Sequence, residues 1–248
     1  MYPFAPTSHL RPGNKHSGVV RTTDCEAYLL VCLARRCHSS VVTRLLTIAL
    51  LLLALGFHVA GSATVETHVT SLAGLIDPAK LGTLAKRGAN PRIQKAIAIL
   101  ARAESDNVDP GVVCAEALQR VGMDPTAGEL TKVALLRNLD IARKLGCLDS
   151  EGLNEMRHGK SPTIRKGPYE GDQLSVDHII PYAVAPELDK VVANLELMPL
   201  RMNQSKQTKV GIRQVGLAEK LTGAGLLTQN GLKRVKQAFE DGEKADKQ

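Results

Sequence analysis

Residues 173–210 read QLSVDHIIPYAVAPELDKVVANLELMPLRMNQSKQTKV, and the fold to expect turns on this stretch. Two short apolar runs, 173–176 and 194–197, predict strands. The loop between them holds Pro181, Pro186 and the acidic pair Glu187 and Asp189, and residues 200–210 after Pro199 predict a helix. The order is strand, loop, strand, helix, with Asp177 and His178 ending the first strand and Asn203 on the helix. Alternation along a strand points Asp177 and His178 to opposite sides. Asp177 offers a hard anionic oxygen and Asn203 a neutral carbonyl oxygen, a pair that suits Mg²⁺ completed by waters and phosphate. His178 is left free as a base near neutral pH.

Those residues stand in one order with fixed spacings: Asp177-His178-Ile179-Ile180-Pro181, then Asn194-Leu195, then Asn203-Gln204-Ser205-Lys206. The stretch resembles the HNH endonuclease superfamily, whose ββα-metal motif reads D-H-I-x-P, N-L and N-x-x-K. The resemblance covers about 40 of the 185 residues from 64 onward. It implies that His178 is the general base and that Asp177 and Asn203 hold a single divalent metal at the scissile phosphate. It further implies that Asn194 braces the loop and helps orient His178, and that Lys206 contacts phosphate. The implied reaction is hydrolysis of DNA phosphodiester bonds, leaving a 5′ phosphate and a 3′ hydroxyl. RNA as substrate, or a non-catalytic nucleic-acid-binding module on the same scaffold, are the alternatives. Relatives often carry zinc-binding cysteines around the last Asn; Pro199 and Met202 stand there in this chain, so no structural zinc is expected. Packing of Leu195, Leu197, Met198 and Met202 must replace it. An oxygen-only ligand pair favours Mg²⁺ or Mn²⁺.

Upstream, residues 157–171 (RHGKSPTIRKGPYEG) carry Arg157, Lys160, Arg165 and Lys166 among glycines and prolines. The run reads either as a solvated loop or as a phosphate-contacting arm. Arg201 and Lys209 are further candidates for the nucleic-acid backbone; for Arg201 a plain surface role is equally open. Residues 67–157 read as helices with core-facing stripes: Ile93, Ala96, Ile97 and Leu100; Val113, Ala117, Leu118 and Val121; Leu130, Val133, Leu136, Leu139 and Ile141. Pro91 and Asp109-Pro110 mark starts, Thr126 with Glu129 forms a capping box, Gly122 and Gly146 mark stops, and Asp149 or Ser150 caps a short helix. This block speaks to folding and carries no chemistry of its own. Beyond the motif, Val215, Ala218 and Leu221 mark one helix and Leu232, Val235 and Phe239 another, both expected to pack against the motif.

At the other end, residues 45–57 (LLTIALLLLALGF) are uncharged, follow Arg44 and precede small residues to Ala63. They are short for a membrane span and fit the apolar core of a secretory signal cleaved near Ala63. Export to a secreted or periplasmic location is therefore expected, with no stable span after cleavage and a retained membrane anchor as the alternative. The leader before it is long, and a start at Val41 or Val42 is expected. Cys114 and Cys147 are then the only cysteines, as a disulfide or as two buried thiols.

The whole chain has 248 residues, 32 Lys+Arg against 25 Asp+Glu, 3% aromatics and no Trp. This composition excludes collagen, a coiled-coil rod, an acidic disordered chain and a polytopic membrane protein. The scarcity of aromatics argues against a base-stacking platform. Residues 1–63 hold six Lys+Arg and two Asp+Glu, so most of the surplus lies in the leader; 64–248 hold 26 and 23. The expected architecture is α+β and mostly α. It comprises a leader (1–63), a helical domain (64–158), a nuclease domain with C-terminal helices (159–240) and a polar tail (241–248).

Overall fold

The computed structural model describes residues 64–206 and 208–245. The expectations for the signal segment, its cleavage, the start position and residues 246–248 lie outside the described residues. Helices dominate: α1 (residues 64–76), α2 (Pro78–Gly82), α3 (Asn90–Ser105), α4 (Pro110–Arg120), α5 (Pro125–Lys144) and α6 (Ser150–Arg157) precede the sheet. After strand β1 (Leu174–His178) and strand β2 (Leu195–Pro199) come α7 (Leu200–Ser205), α8 (Ile212–Gly223) and α9 (Gln229–Ala245). The class is α+β, mostly α, with one small antiparallel sheet among the described residues. No helix among the described residues is long and apolar enough to cross a membrane.

Three helices begin on Asp-Pro. Asp77, Asp109 and Asp124 each accept a hydrogen bond from a first-turn N–H, while the following proline occupies the first helical position. The capping box expected from Thr126 and Glu129 is not the cap of α5. Pro125 has no N–H and a preset φ, so it takes the first helical position and moves the cap back to Asp124. Glu129 pairs with Lys132 at 3.4 Å instead. Asp149 caps α6, and Gly122 and Gly146 turn the chain out of α4 and α5 at φ +64° and +71°.

β1 and β2 pair antiparallel, with Leu174 opposite Pro199 and His178 opposite Leu195. Two strands alone form a sheet of marginal stability, since both are edges with unpaired backbone groups. Here helix amides take the missing places. On the β1 edge, Asn90 and Gln94 of α3 donate to the carbonyls of Val176 (3.3 Å) and Leu174 (2.9 Å), and Leu174 N–H donates to Pro162 (2.8 Å). On the β2 edge, Asn138 of α5 donates to Leu195 O (3.0 Å) and accepts from Leu197 N–H (2.8 Å). Asn138 is fully buried.

Apolar packing follows the same join. One cluster runs without a break from Val69 through Ile97, Val113 and Leu135 to Leu174, Val176, Leu195 and Leu197. Both sides of residue 158 therefore share one core. A second cluster packs Ile180, Ala185, Leu188 and Ala193 of the β1–β2 loop against Ala218 and Leu221 of α8 and Val235 of α9. The strands run to 178 and 199, two residues past the expected 176 and 197, and two helices differ in length from expectation. α7 stops at Ser205 rather than at 210, because residues 204–206, 208 and 209 bring no buried side chain to the core and Lys206 leaves helical backbone at ψ +99°. α9 continues to Ala245, into the segment expected to be a polar tail.

Cys114 and Cys147 are free and buried, so the pair forms no disulfide. Burial pushes both thiols up to about 12, which keeps the nucleophilic thiolate scarce at neutral pH. Iodoacetamide at pH 8 is expected to spare both residues in the native chain and alkylate both in guanidinium, as read by peptide mass mapping. Asn138→Leu orphans Leu197 N–H and removes the closer of two donors to Leu195 O, leaving Arg137 Nη2 at 3.4 Å, and is expected to cost about 1–3 kcal/mol in urea unfolding. Parental stability in that variant would refute the edge-pairing role.

Candidate functional site

The site is built where β1 runs into its loop. Asn194, fully buried ahead of β2, closes the neck: its Oδ1 accepts from Ile180 N–H (2.8 Å) and its Nδ2 donates to Ile180 O (3.1 Å). Its own carbonyl accepts from Ile179 N–H at 2.8 Å. Three bonds from one residue thus hold the two positions after His178. The imidazole of His178 is only 3% exposed. Its Nε2 lies 3.1 Å from the carbonyl oxygen and 3.2 Å from the carboxylate of Asp189, and the Tyr182 ring stands 6.2 Å away. Nδ1 makes no hydrogen bond among the described residues.

Asp189 is itself buried, and both its carboxylate oxygens accept from the backbone N–H of Arg87 (3.3 and 3.1 Å). Arg87 lies in the left-handed region at φ +58°, in the bend before α3. Asp189 and Tyr182 also line a cavity of about 550 Å³ together with Lys86, Lys190, Met123 and Leu226. His178 is not among its walls, so Asp189 separates the ring from that space.

The opposite face of β1 carries Ser175 and Asp177, as strand alternation requires. Lys206 Nζ lies 2.9 Å from Asp177 Oδ2 and donates to the carbonyl of His178 at 2.6 Å. Asn203 Nδ2 donates to Ser175 Oγ at 3.1 Å, which leaves its carbonyl oxygen without a hydrogen bond among the described residues. The structure therefore brings Asp177, Asn203 and Lys206 to one side of the strand and places the His178 ring on the other. Among the described residues no cluster of three His, Cys, Asp or Glu side chains could hold a metal. The donors here are of another kind: one carboxylate and one amide oxygen, beside a point where an ammonium already sits between a carboxylate and a backbone carbonyl. Hard oxygens around a cation position fit Mg²⁺ or Mn²⁺, ions that retain several waters.

Glu196 faces Asp177 across the sheet register but is turned away by its own partners, Arg137 (3.0 Å) and Arg213 (3.0 Å). Burial holds the Arg137 guanidinium below its ordinary value against the opposing pull of the Glu196 charge. The remaining sequence candidates are dispersed. Arg157 and Lys160, at and after the end of α6, are exposed, as is Lys166. Arg165 is ion-paired to Asp149 and Glu151, and the N–H groups of Arg165 and Lys166 both donate to Leu145 O. That segment is pinned to the end of α5. Arg201 is held by Asp172 (3.4 Å) and lies over Tyr169. The Arg201 N–H, followed by the Gln173 N–H and the Arg201 guanidinium, holds the Asp172 carboxyl below the usual range. Lys209 is exposed and has a partner.

Sequence reasoning gave no role to Asp189, Asn138, Glu196, Arg137 or Arg213. The available signals were weak: a polar residue beside the apolar stripe of α5 (Asn138), and a carboxylate among the apolar residues of each of two segments (Asp189 and Glu196).

Comparison of the chain with protein-family models, curated proteins and solved structures finds no match.

Asn194→Ala strips both Ile180 backbone groups of their partners in a buried site. A loss of about 2–4 kcal/mol is expected in chemical denaturation. A loss under about 0.5 kcal/mol, the range of ordinary surface substitutions, would contradict the clamp.

Proposed function

We propose that the chain is a metal-dependent endonuclease of the HNH type that hydrolyses DNA phosphodiester bonds, built on a ββα-metal motif spanning β1, β2 and α7. One observation carries the reading: Asp177, His178, Asn194, Asn203 and Lys206 stand in the family's order, on a strand–loop–strand–helix corner that holds each of them by named contacts.

His178 takes a proton from water as the water oxygen attacks phosphorus and the bond to the 3′ oxygen breaks; the 3′ oxygen takes a proton from solvent, leaving a 5′ phosphate and a 3′ hydroxyl. Asp177 and Asn203 would hold the divalent ion, which when bound supplies positive charge for the leaving oxygen. Asn194 keeps the start of the loop, and with it the end of β1, in one conformation. Lys206 provides the basic group on the Asp177 face and is suited to a backbone phosphate. Arg157, Lys160, Arg165, Lys166, Arg201 and Lys209 are proposed as contacts to the nucleic-acid backbone. Such contacts position the duplex without reading its bases, so binding falls with salt. Export by the N-terminal segment places this activity outside the cytoplasm.

Purified protein with Mg²⁺ or Mn²⁺ is expected to nick supercoiled plasmid, and His178→Ala to lower kcat by about 10²–10⁴. Single-stranded DNA and RNA in the same buffer identify the substrate class. No cleavage of any of the three nucleic acids, or parental rates in His178→Ala, would refute the proposal.

A further inference from the structure

We propose that the cavity of about 550 Å³ walled by α2, α5, the β1–β2 loop and the α8–α9 connection is a binding site for a small monocarboxylic acid with an apolar, ring-sized body. Binding there does not depend on the nuclease reading.

The space is formed by segments far apart in the chain. Leu81 of α2, Met123 after α4, Val192 ahead of β2 and Leu226 after α8 supply apolar wall. The volume falls within the range of small-molecule pockets, roughly 300–1,000 Å³. Polar groups of a ligand would go unpaired against those side chains, so the part that meets them is apolar.

The charge on the wall sets the head group. Two ammoniums line the cavity, Lys86 and Lys190, and among the described residues neither has a carboxylate within ion-pair distance. Lys86 Nζ stands 3.9 Å from the centroid of the Tyr182 ring, and Lys190 Nζ donates to Gly82 O at 3.0 Å. An ammonium carries three N–H donors, so both groups retain hydrogens for an anionic oxygen in the cavity. Of the two carboxylates in the wall, Glu187 is paired with Arg234, and Asp189 accepts from Arg87 N–H. Arg234 neutralises Glu187 and Asp189 offsets one lysine, which leaves one positive charge uncompensated. A single negative charge balances it. A phosphate monoester, close to a dianion above neutral pH, overshoots that balance and meets Asp189 as a like charge. One carboxylate taken by Lys86 and Lys190 through charge-assisted hydrogen bonds satisfies the wall.

Methyl-¹³C-methionine NMR on the full chain reads the site directly, because Met123 lines the cavity while Met156 is fully buried in the larger core. The Met123 signal is assigned by its loss in Met123→Leu. Titration with 2-naphthoate at pH 8 is expected to move that methyl saturably and to leave Met156 in place. The neutral isostere 2-naphthamide is expected to bind about tenfold more weakly, the size of one charge-assisted contact, and 2-naphthyl phosphate more weakly than the naphthoate. In the double variant Lys86→Gln with Lys190→Gln, naphthoate is expected to fall about tenfold, to the level of the amide, while the amide binds as before. The absence of a saturable Met123 shift by about 5 mM naphthoate overturns the proposal. So do equal affinities for acid and amide, tighter binding of the phosphate, or parental naphthoate affinity in the double variant. The three-probe comparison uses the parental chain alone and stands even where the double variant fails to fold. Nucleic acid enters none of these readouts, so failure here leaves the nuclease reading to its own plasmid assay.

Discussion

A sheet of only two strands has no interior strand, and everything in this molecule's site depends on how its edges are completed. The outward backbone groups of β1 and β2 are buried among helices, where an unpaired carbonyl or N–H costs free energy comparable to a lost hydrogen bond. Three side-chain amides supply the partners: Asn90 and Gln94, one turn apart on α3, for β1, and Asn138 on α5 for β2. An amide carries a donor and an acceptor in the plane of a peptide, so Asn138 pairs with β2 much as a neighbouring strand would. These bonds set the depth of the sheet against α3 and α5, and with it the position of Asp177 and His178 at the end of β1.

Adjacent residues on a strand face opposite ways, and the molecule uses that rule to separate two chemistries. Asp177 joins Lys206, and Asn203 joins Ser175, on a partly solvated face next to α7, where hard oxygens and a cation meet. His178 turns into the protein, where a carbonyl and a carboxylate address one ring nitrogen. The stiffness of the loop links the two faces. Asn194 ties both backbone groups of Ile180, and the second apolar cluster seats the same loop on α8 and α9. Cysteines at Pro199 and Met202 would offer a metal-based way to hold this corner; in this chain buried Leu195, Leu197 and Met198 fill β2 instead.

The helical block turns out to do more than fold. Its sequence shows stripes of core residues and no cluster of reactive groups, yet the backbone N–H of Arg87 reaches the carboxylate beside His178, and the amides of α3 and α5 finish the sheet. None of these contributions is a reactive side chain, so no motif search could find them.

What the sequence determined by itself is what depends on near neighbours. Asp-Pro dipeptides start helices because the proline ring presets φ and the Asp oxygen meets an N–H two residues on; Gly122 and Gly146 end them because the turn needs positive φ. The strand–loop–strand–helix order and the opposite facing of Asp177 and His178 were both readable within 40 residues. Only the tertiary structure decided that Asp189 of the acidic pair lies against the histidine while Glu187 pairs with Arg234, that Lys206 lies on Asp177, and that Asn138 completes β2. The contacts of Asp189 with Arg87, of Gln94 with Leu174 and of Asn138 with Leu195 join residues 102, 80 and 57 positions apart. A hydrogen bond needs its partner within about 3 Å and in line, and across such separations that condition is met by packing of the two apolar clusters, not by any property of the local chain.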